Sequence, residues 1–361
     1  MNTRDVMNSA LYPKTIDNIR RKDFPIYDTL PLTTGVLEYF FFTTALGNSF
    51  LRNKRLPLAG TEVYFVDEIS AFLPFNLTTV ALVDAFNELL QRSYLLVSVD
   101  GRVQCKLPGL DFFEYMQVNS VLATATALDT HYNHLVRKLP IPIMLNSTSS
   151  FEIKFVTTAA AALAFNGINM RLVLGGVQLD KLDSFYYDNL KGNQFQQVPV
   201  TYYQTVPIAV ATETTYNLFS NPAQAQNLYS QIFPLSDIQT FQLQNVEVFV
   251  NQPDVPIEPS TIFHSRIQNI LRINLDDVDF YNSSIQEFLS VFAMFQTVLT
   301  TTPDSTYLDT LNIRQSKTFR VPLVVPANSK VNISLTQPAT SLGITGDITV
   351  ALRGIETRRV A

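Results

Sequence analysis

The sequence predicts an all-β protein with a few short helices, built as two similar sandwich domains in tandem. Three observations predict it. Phe (26) and Tyr (15) are abundant and spread through short alternating segments, the side-chain types that fit a pleated, half-buried surface. Prolines and Asn/Gly turns break the chain at short intervals, as in a sandwich of many strands. The third is an internal duplication at a spacing near 180 residues, too long for a solenoid and suited to one domain copied once.

The duplication is clearest at the ends of the two halves. Residues 142–155 read P-I-M-L-N-S-T-S-S-F-E-I-K-F, and residues 322–335 read P-L-V-V-P-A-N-S-K-V-N-I-S-L. Pro142 matches Pro322 at an offset of 180, as do Phe151 with Val331, Ile153 with Ile333 and Phe155 with Leu335. Strict alternation places Phe151, Ile153 and Phe155 on one face of a strand. At an offset of 178, Met170, Leu172, Leu174 and Gly176 answer Ile348, Val350, Leu352 and Gly354. Earlier, Tyr64, Val66, Ile69 and Ala71 lie on Phe241, Leu243, Val246 and Val248, and Tyr94–Val99 falls near Ile270–Leu275.

These matches divide the chain into an N-terminal arm (1–28), a first domain (29–181), a polar linker (182–197) and a second domain (198–361). Strands are expected over Val36–Thr44, Glu62–Leu73, Tyr94–Cys105, Pro199–Val210 and Thr240–Asn251. Three helices are expected as well. One follows Thr79 over Val80–Arg92, with Val83, Phe86, Leu89 and Leu90 at helical spacing. One starts at Ser284-Ile285-Gln286-Glu287, which reads as a capping box ahead of a Phe288, Phe292, Phe295 stripe. The third lies near Asn119–Lys138.

Composition bounds the function. Charged residues are 16% of the chain, against roughly 25% in an average soluble domain, so much of the outside is expected to be covered by other subunits. The net charge of −5 argues against a chain that coats nucleic acid along its whole length. The single cysteine, Cys105, excludes an intrachain disulfide and a thiolate zinc cluster. Met1–Asp5 lacks the apolar core of a signal peptide and no apolar run approaches the roughly 20 residues of a spanning helix. Synthesis in a reducing cytoplasm is therefore expected.

No catalytic constellation emerges. His131 and His134 stand three apart on the expected helix with only Asp129 nearby, and His264 is isolated. They read as structural or surface histidines, and Cys105 as a buried inert thiol. Asp276, Asp277 and Asp279 form the sharpest acidic cluster. Asp276 and Asp277 are candidate Ca²⁺ ligands at a subunit joint, weighed against a plain solvated turn, since the glycine and distal glutamate of an EF-hand loop are missing. Gly-rich phosphate loops and G-x-S-x-G are absent. The N-x-S/T triplets at Asn76, Asn146, Asn282 and Asn332 read as accidental.

Two tandem sandwiches, each with a helix-bearing excursion and a late proline turn leading into an alternating strand, resemble the double jelly-roll major capsid proteins of icosahedral tailless viruses. Leu56-Pro57-Leu58-Ala59-Gly60 ahead of Val63–Leu73 is similar to their early strands. The resemblance covers about residues 30–361. It implies two eight-stranded jelly rolls and a structural role in the virion, with no enzyme activity and no cofactor. The implied partners are two further copies in a homotrimeric, pseudo-hexameric capsomer, neighbouring capsomers, and penton or minor capsid proteins. It also implies an inward-facing arm that meets an inner viral membrane or the genome. Arg4, Lys14, Arg20, Arg21 and Lys22 would supply that contact, five cations against two carboxylates over residues 1–22, with Arg353, Arg358 and Arg359 at the other end of the chain. An ordinary solvated terminus is the plainer reading of the same charges. A phage spike or receptor-binding protein, a minor vertex protein, and a two-jelly-roll glycan hydrolase are the alternatives. The hydrolase is weakened by the absence of Trp.

Overall fold

A computed structural model describes residues 20–23, 25–43, 50–53, 56, 58, 62–74, 80–121, 128–133, 137–146, 150–180, 195–208, 213–220, 233, 235–237, 239–251, 268–298, 306–313, 317–337 and 346–359. The first half runs β1 (Arg20–Asp23), β2 (Ile26–Pro31), β3 (Glu38–Phe41), β4 (Val63–Phe72), α1 (Val80–Arg92), β5 (Tyr94–Val99), β6 (Arg102–Pro108), α2 (Gly109–Phe112), β7 (Tyr115–Val121), β8 (Leu128–Asn133), β9 (Arg137–Asn146), β10 (Phe151–Val156), α3 (Ala159–Ala164) and β11 (Asn169–Asp180). The second half runs β12 (Phe195–Ile208), β13 (Thr214–Leu218), β14 (Gln239–Asn251), β15 (Ile270–Leu275), β16 (Val278–Ser284), β17 (Leu289–Val298), β18 (Thr306–Ile313), β19 (Lys317–Val325), β20 (Val331–Gln337) and β21 (Gly346–Arg359).

Strand order identifies the architecture. In the first lobe β2-β11-β4-β9 faces β3-β10-β5-β6, and in the second β12-β21-β14-β19 faces β13-β20-β15-β16. Each half is an eight-stranded jelly roll in which successive strands alternate between the two sheets except at the β5–β6 and β15–β16 hairpins. The chain is therefore a double jelly roll, and every strand of one lobe has its counterpart ten strands on. One apolar core fills each sandwich. Tyr64, Phe86, Phe113 and Phe155 anchor the first, and Tyr202, Phe241, Leu271 and Leu335 the second.

The copies agree in their irregularities as well as in their order. β4 shifts register against β9 and β11 between Val66 and Glu68, and β14 shifts against β19 and β21 between Leu243 and Asn245, 177 residues on. Opposite each bulge stands a glycine, Gly176 or Gly354, where a Cβ would lie 1.9 Å from the carbonyl oxygen of Phe65 or Gln242. Only glycine permits that approach. On the outer strand the same level carries extra residues outside the ladder, since β9 pairs at Lys138 and Ile143 but skips the residues between, and β19 does so between Thr318 and Leu323. Pro142 and Pro322 are among those unpaired residues.

The tight turn after β5 has Asp100 and Gly101 at φ 50° and 72°, and the turn after β15 has Asp276 and Asp277 at 48° and 66°. Two left-handed residues make the type I′ hairpin that suits the twist of the strands. In each copy the first aspartate is clamped both ways. Asp100 N–H donates to Ser150 O and Ser150 N–H to Asp100 Oδ1, at 2.9 and 2.8 Å. Asp276 N–H donates to Lys330 O and Lys330 N–H to Asp276 Oδ1, both at 2.9 Å. After β3 and β13 a buried phenylalanine turns left-handed, Phe42 at φ 62° and Phe219 at φ 59°. The amide of Phe42 donates to the buried Asp28 Oδ2 at 2.7 Å, and that of Phe219 to the buried Gln204 Oε1. A non-glycine residue in that region costs of order 1 kcal/mol or more. An inward polar side chain on the preceding strand offsets the cost in both lobes.

Three expectations are corrected. The helix near Asn119–Lys138 is instead the antiparallel hairpin of β7 and β8. The capping box at Ser284 caps nothing: a 3₁₀ turn at Ile285–Glu287 leads into β17, and the Ser284 side chain makes no cap hydrogen bond. Leu289–Val298 is rich in aromatic and β-branched residues, and it is held by β14 and β18 rather than by its own turns. The 1–28 arm loses its last residues to the first sheet. Arg20–Asp23 pairs with β11 in a register that β2 continues, so β1 and β2 are one strand interrupted around Pro25, which has no N–H to give. The helix expected over Val80–Arg92 is present, with Phe86, Leu89 and Leu90 buried.

Candidate assembly surfaces

β6 of the first lobe meets β12 of the second through a parallel bridge, Lys106 to Val200. Both lobes therefore stand the same way up. Because connections alternate between ends, the start of β1 and the end of β21 share one end with the 100–101 and 276–277 turns. α1, α3 and the β7–β8 and β17–β18 excursions occupy the other. There the excursions join, β7 pairing with β18 at Val121–Tyr307 and Ser120–Leu308.

The middle of the seam is ionic and buried. Arg353 on β21 lies against Asp111 of α2 at 2.6 Å and against Glu247 of β14, and these side chains are 7%, 1% and 0% exposed. Thr201 donates to the second oxygen of Asp111, and Ser290 donates to Glu247. Carboxylates so enclosed persist only because a cation and hydroxyl donors complete them. Above the cluster, Arg92 of α1 reaches Asp347 of β21 at 2.9 Å. Phe249 of β14 inserts into the core of the first lobe. A cleft of about 330 Å³ runs beside the cluster, lined by Asp111, Lys138, Leu139, Gln244, Asn245 and Arg353 among others. Lys106 stands 4.2 Å over the Tyr94 ring. Burial, and then the charge of Lys154, lower its pKa to about 8.

The strand in the second lobe that corresponds to β6 is bare. β6 buries Cys105, Leu107 and Pro108, whereas no described residue of β16 is fully buried, and Val278 is 69% exposed. Beside it Ile270 is 42% exposed. Asp279 on β16 accepts from Arg272 at 2.7 Å and from Asn274 at 3.0 Å, and the Arg272 bond holds its carboxyl below the ordinary value.

The residues singled out from the sequence are dispersed. Asp276 and Asp277 form the β15–β16 turn, and their carboxylates take the Lys330 amide and ammonium, each at 2.9 Å. No group of three or more metal-ligating side chains occurs among the described residues. Arg20, Arg21 and Lys22 lie on β1, while Arg4 and Lys14 are outside the described residues. His131 lies on a strand, so the helical spacing that paired it with His134 no longer applies. His134 and His264 are outside the described residues. Cys105 is buried, and burial and then the Asp111 charge push its thiol pKa up. Sequence reasoning missed Asp111 and Glu247, and it grouped Arg353 with the basic C-terminal end, whereas Arg353 is buried at the seam. A signal was present in the duplication, because Glu247 and Arg353 replace Ser70 and Gly175 of the first copy.

No family model and no curated protein matches the sequence. Among solved structures the chain is similar to "PBCV-1 VP54", fitted into a reconstruction of the virophage Sputnik, with 10% identity, TM-score 0.42, and 97% of this chain and 96% of that one covered. It is similar to the "STIV MCP" at 11% identity and TM-score 0.39, covering 94% and 96%. It is also similar to the "Faustovirus major capsid protein" at 6% identity and TM-score 0.31, covering 99% and 94%. It is the strand order within this chain that makes it a double jelly roll.

Proposed function

We propose that the protein is the structural major capsid protein of an icosahedral virus, acting without catalysis, whose chains associate head to tail in threes. The bareness of β16 carries this reading. Its first-lobe counterpart, β6, is covered by the leading strand of the second lobe. The leading strand of the first lobe, β1 and β2, is the matching surface that another chain can offer. A contact made within the chain, if repeated between chains, is heterologous and closes only when the rotation per lobe divides a full turn. Six lobes from three chains need about 60° each, which fits a sixfold lattice position. Low charge and the exposed Val278 and Ile270 suit a surface meant to be covered. The division into arm, lobes and a linker that ends where β12 begins at Phe195 belongs to this proposal. So does an inner face at the end that carries Arg20, Arg21, Lys22 and the C-terminal Arg358 and Arg359, where lipid head groups or phosphates would be attracted.

Light scattering tests the assembly. A mass of three chains, with hexagonal tiles or shells by electron microscopy, is expected. Val278→Glu on β16 should leave a folded monomer with an unchanged melting temperature. A wild-type chain that stays monomeric at every concentration, or a variant that assembles normally, would refute the reading.

A further inference from the structure

The ionic cluster at the seam exists once in the chain although the fold exists twice. Laying the first lobe on the second by strand counterparts puts Gly175 at the place of Arg353, Ser70 at that of Glu247, Pro25 at that of Thr201 and Asn169 at that of Asp347. The second lobe's side of the seam thus offers a guanidinium, a hydroxyl and a carboxylate. The first lobe's equivalent side offers none of the three partners that the seam uses.

We propose that Asp111, Arg353 and Glu247, with Arg92 and Asp347 beside them, form a recognition key between lobes. The face of the first lobe that bears Asp111 and Arg92 is matched to the β21 side of a second lobe and rejects the β11 side of another copy's first lobe. The reason is electrostatic. Asp111 is 1% exposed in the seam and satisfied by Arg353 and Thr201. Docked against Gly175 and Pro25 it would be enclosed with no cation at the place of Arg353 and no hydroxyl at that of Thr201, while Arg92 would face an amide in place of a carboxylate. Stranding a buried charge disfavours a contact by roughly a hundredfold or more. Shape alone would not discriminate, since both lobes present the same strands in the same order. This key rests on the head-to-tail reading for its purpose, because it leaves each chain with one free leading strand and one free β16 side.

The test uses the full chain with thiol cross-linking. Lys106→Cys with Val200→Cys reports the seam within a chain. Lys106→Cys chains mixed with Pro25→Cys chains, joined by a short bismaleimide, report first-lobe to first-lobe docking. Concentrations near the roughly millimolar effective concentration of a tethered lobe allow the two to compete. Arg353→Met alone should slow the within-chain link at least tenfold. The apolar triple Asp111→Leu, Glu247→Leu, Arg353→Met should restore that link and raise the first-lobe to first-lobe link at least tenfold over the unmodified chain. If the unmodified chain forms both links equally, or if the triple restores docking without raising the mismatched link, the key is overturned. Should the triple not fold, the unmodified comparison and Arg353→Met decide alone. A chain that never oligomerises would defeat the shell reading while leaving the within-chain measurement to stand.

Discussion

Replacing either bulge glycine by alanine should be among the most damaging small substitutions in the protein, and the two should cost nearly the same. A Cβ on Gly354 would lie 1.9 Å from Gln242 O, 2.8 Å from its carbonyl carbon and 2.9 Å from the Phe241 ring. Side-chain carbons essentially never come within about 3 Å of such atoms, so the two strands must part by roughly 1 Å. The obstacle is backbone in the middle of a sheet and cannot rotate away. Parting the strands weakens the adjacent ladder hydrogen bonds, each worth about 1 kcal/mol, and adds overpacking strain of about 1–3 kcal/mol. A loss near 3 kcal/mol is expected for Gly354→Ala. The same loss is expected for Gly176→Ala, whose Cβ would lie 1.9 Å from Phe65 O. Gly101→Ala is the contrast. It has nothing within 4 Å but a φ of 72°, so it should cost only about 1 kcal/mol. Urea titration followed by circular dichroism, with m compared between variants, measures all three. A Gly354→Ala chain within about 0.5 kcal/mol of wild type would refute the steric argument.

Three further outcomes are expected. Asp28 accepts from Phe42 N–H, from Thr29 N–H at 2.8 Å and from Arg52 at 3.0 Å while fully buried. Asp28→Ala should therefore destabilise by about 3 kcal/mol in urea, more than Gln204→Ala, which removes a neutral acceptor from the Phe219 amide. Lys106 has its pKa lowered to about 8, so the folded state binds its proton less well than the unfolded one. Its unfavourable contribution is full below pH 8, fades as pH rises toward the unfolded value of about 10.4, and is absent above it. After allowance for the solvent that still reaches it, Lys106→Met should stabilise by about 1 kcal/mol at pH 7 and by nothing near pH 11, read from melting curves across that range. Asp277→Gly gives the second turn the Asp-Gly sequence of the first. It relieves a left-handed φ of 66° and gives up only an exposed pair with Lys330. A gain of about 0.5 kcal/mol is expected, and a loss above 1 kcal/mol would mean that the pair is stronger than its exposure implies.

The duplication was legible because its strongest matches fall on strands buried on one face, where alternation is enforced. Phe151, Ile153 and Phe155 against Val331, Ile333 and Leu335 are β10 against β20. The errors share one cause. In Phe288–Phe295 the spacing suggests a helical stripe, although on a strand it puts Phe295 on the face opposite Phe292, and what decides is the partner, β14 and β18, which pattern alone does not reveal. Arg20–Lys22 looked like a free basic arm because Pro25 interrupts the strand and because charged residues are common at an edge. The ionic cluster was hidden for a different reason. Asp111, Glu247 and Arg353 are more than a hundred residues apart from one another and are unremarkable alone. Only differencing the two copies marks the last two.

The outer strands β9 and β19 have a consequence for how copies can meet. Among the described residues each is bonded on one side only, and each leaves a stretch at the same level, around Pro142 or Pro322, out of its ladder. A stretched peptide seeking to extend the sheet there finds a missing donor and a broken row of carbonyls. Endless fibre growth is blocked at the same place in each half, which leaves side-to-side fitting of whole bodies as the route by which a crowd of such molecules can join.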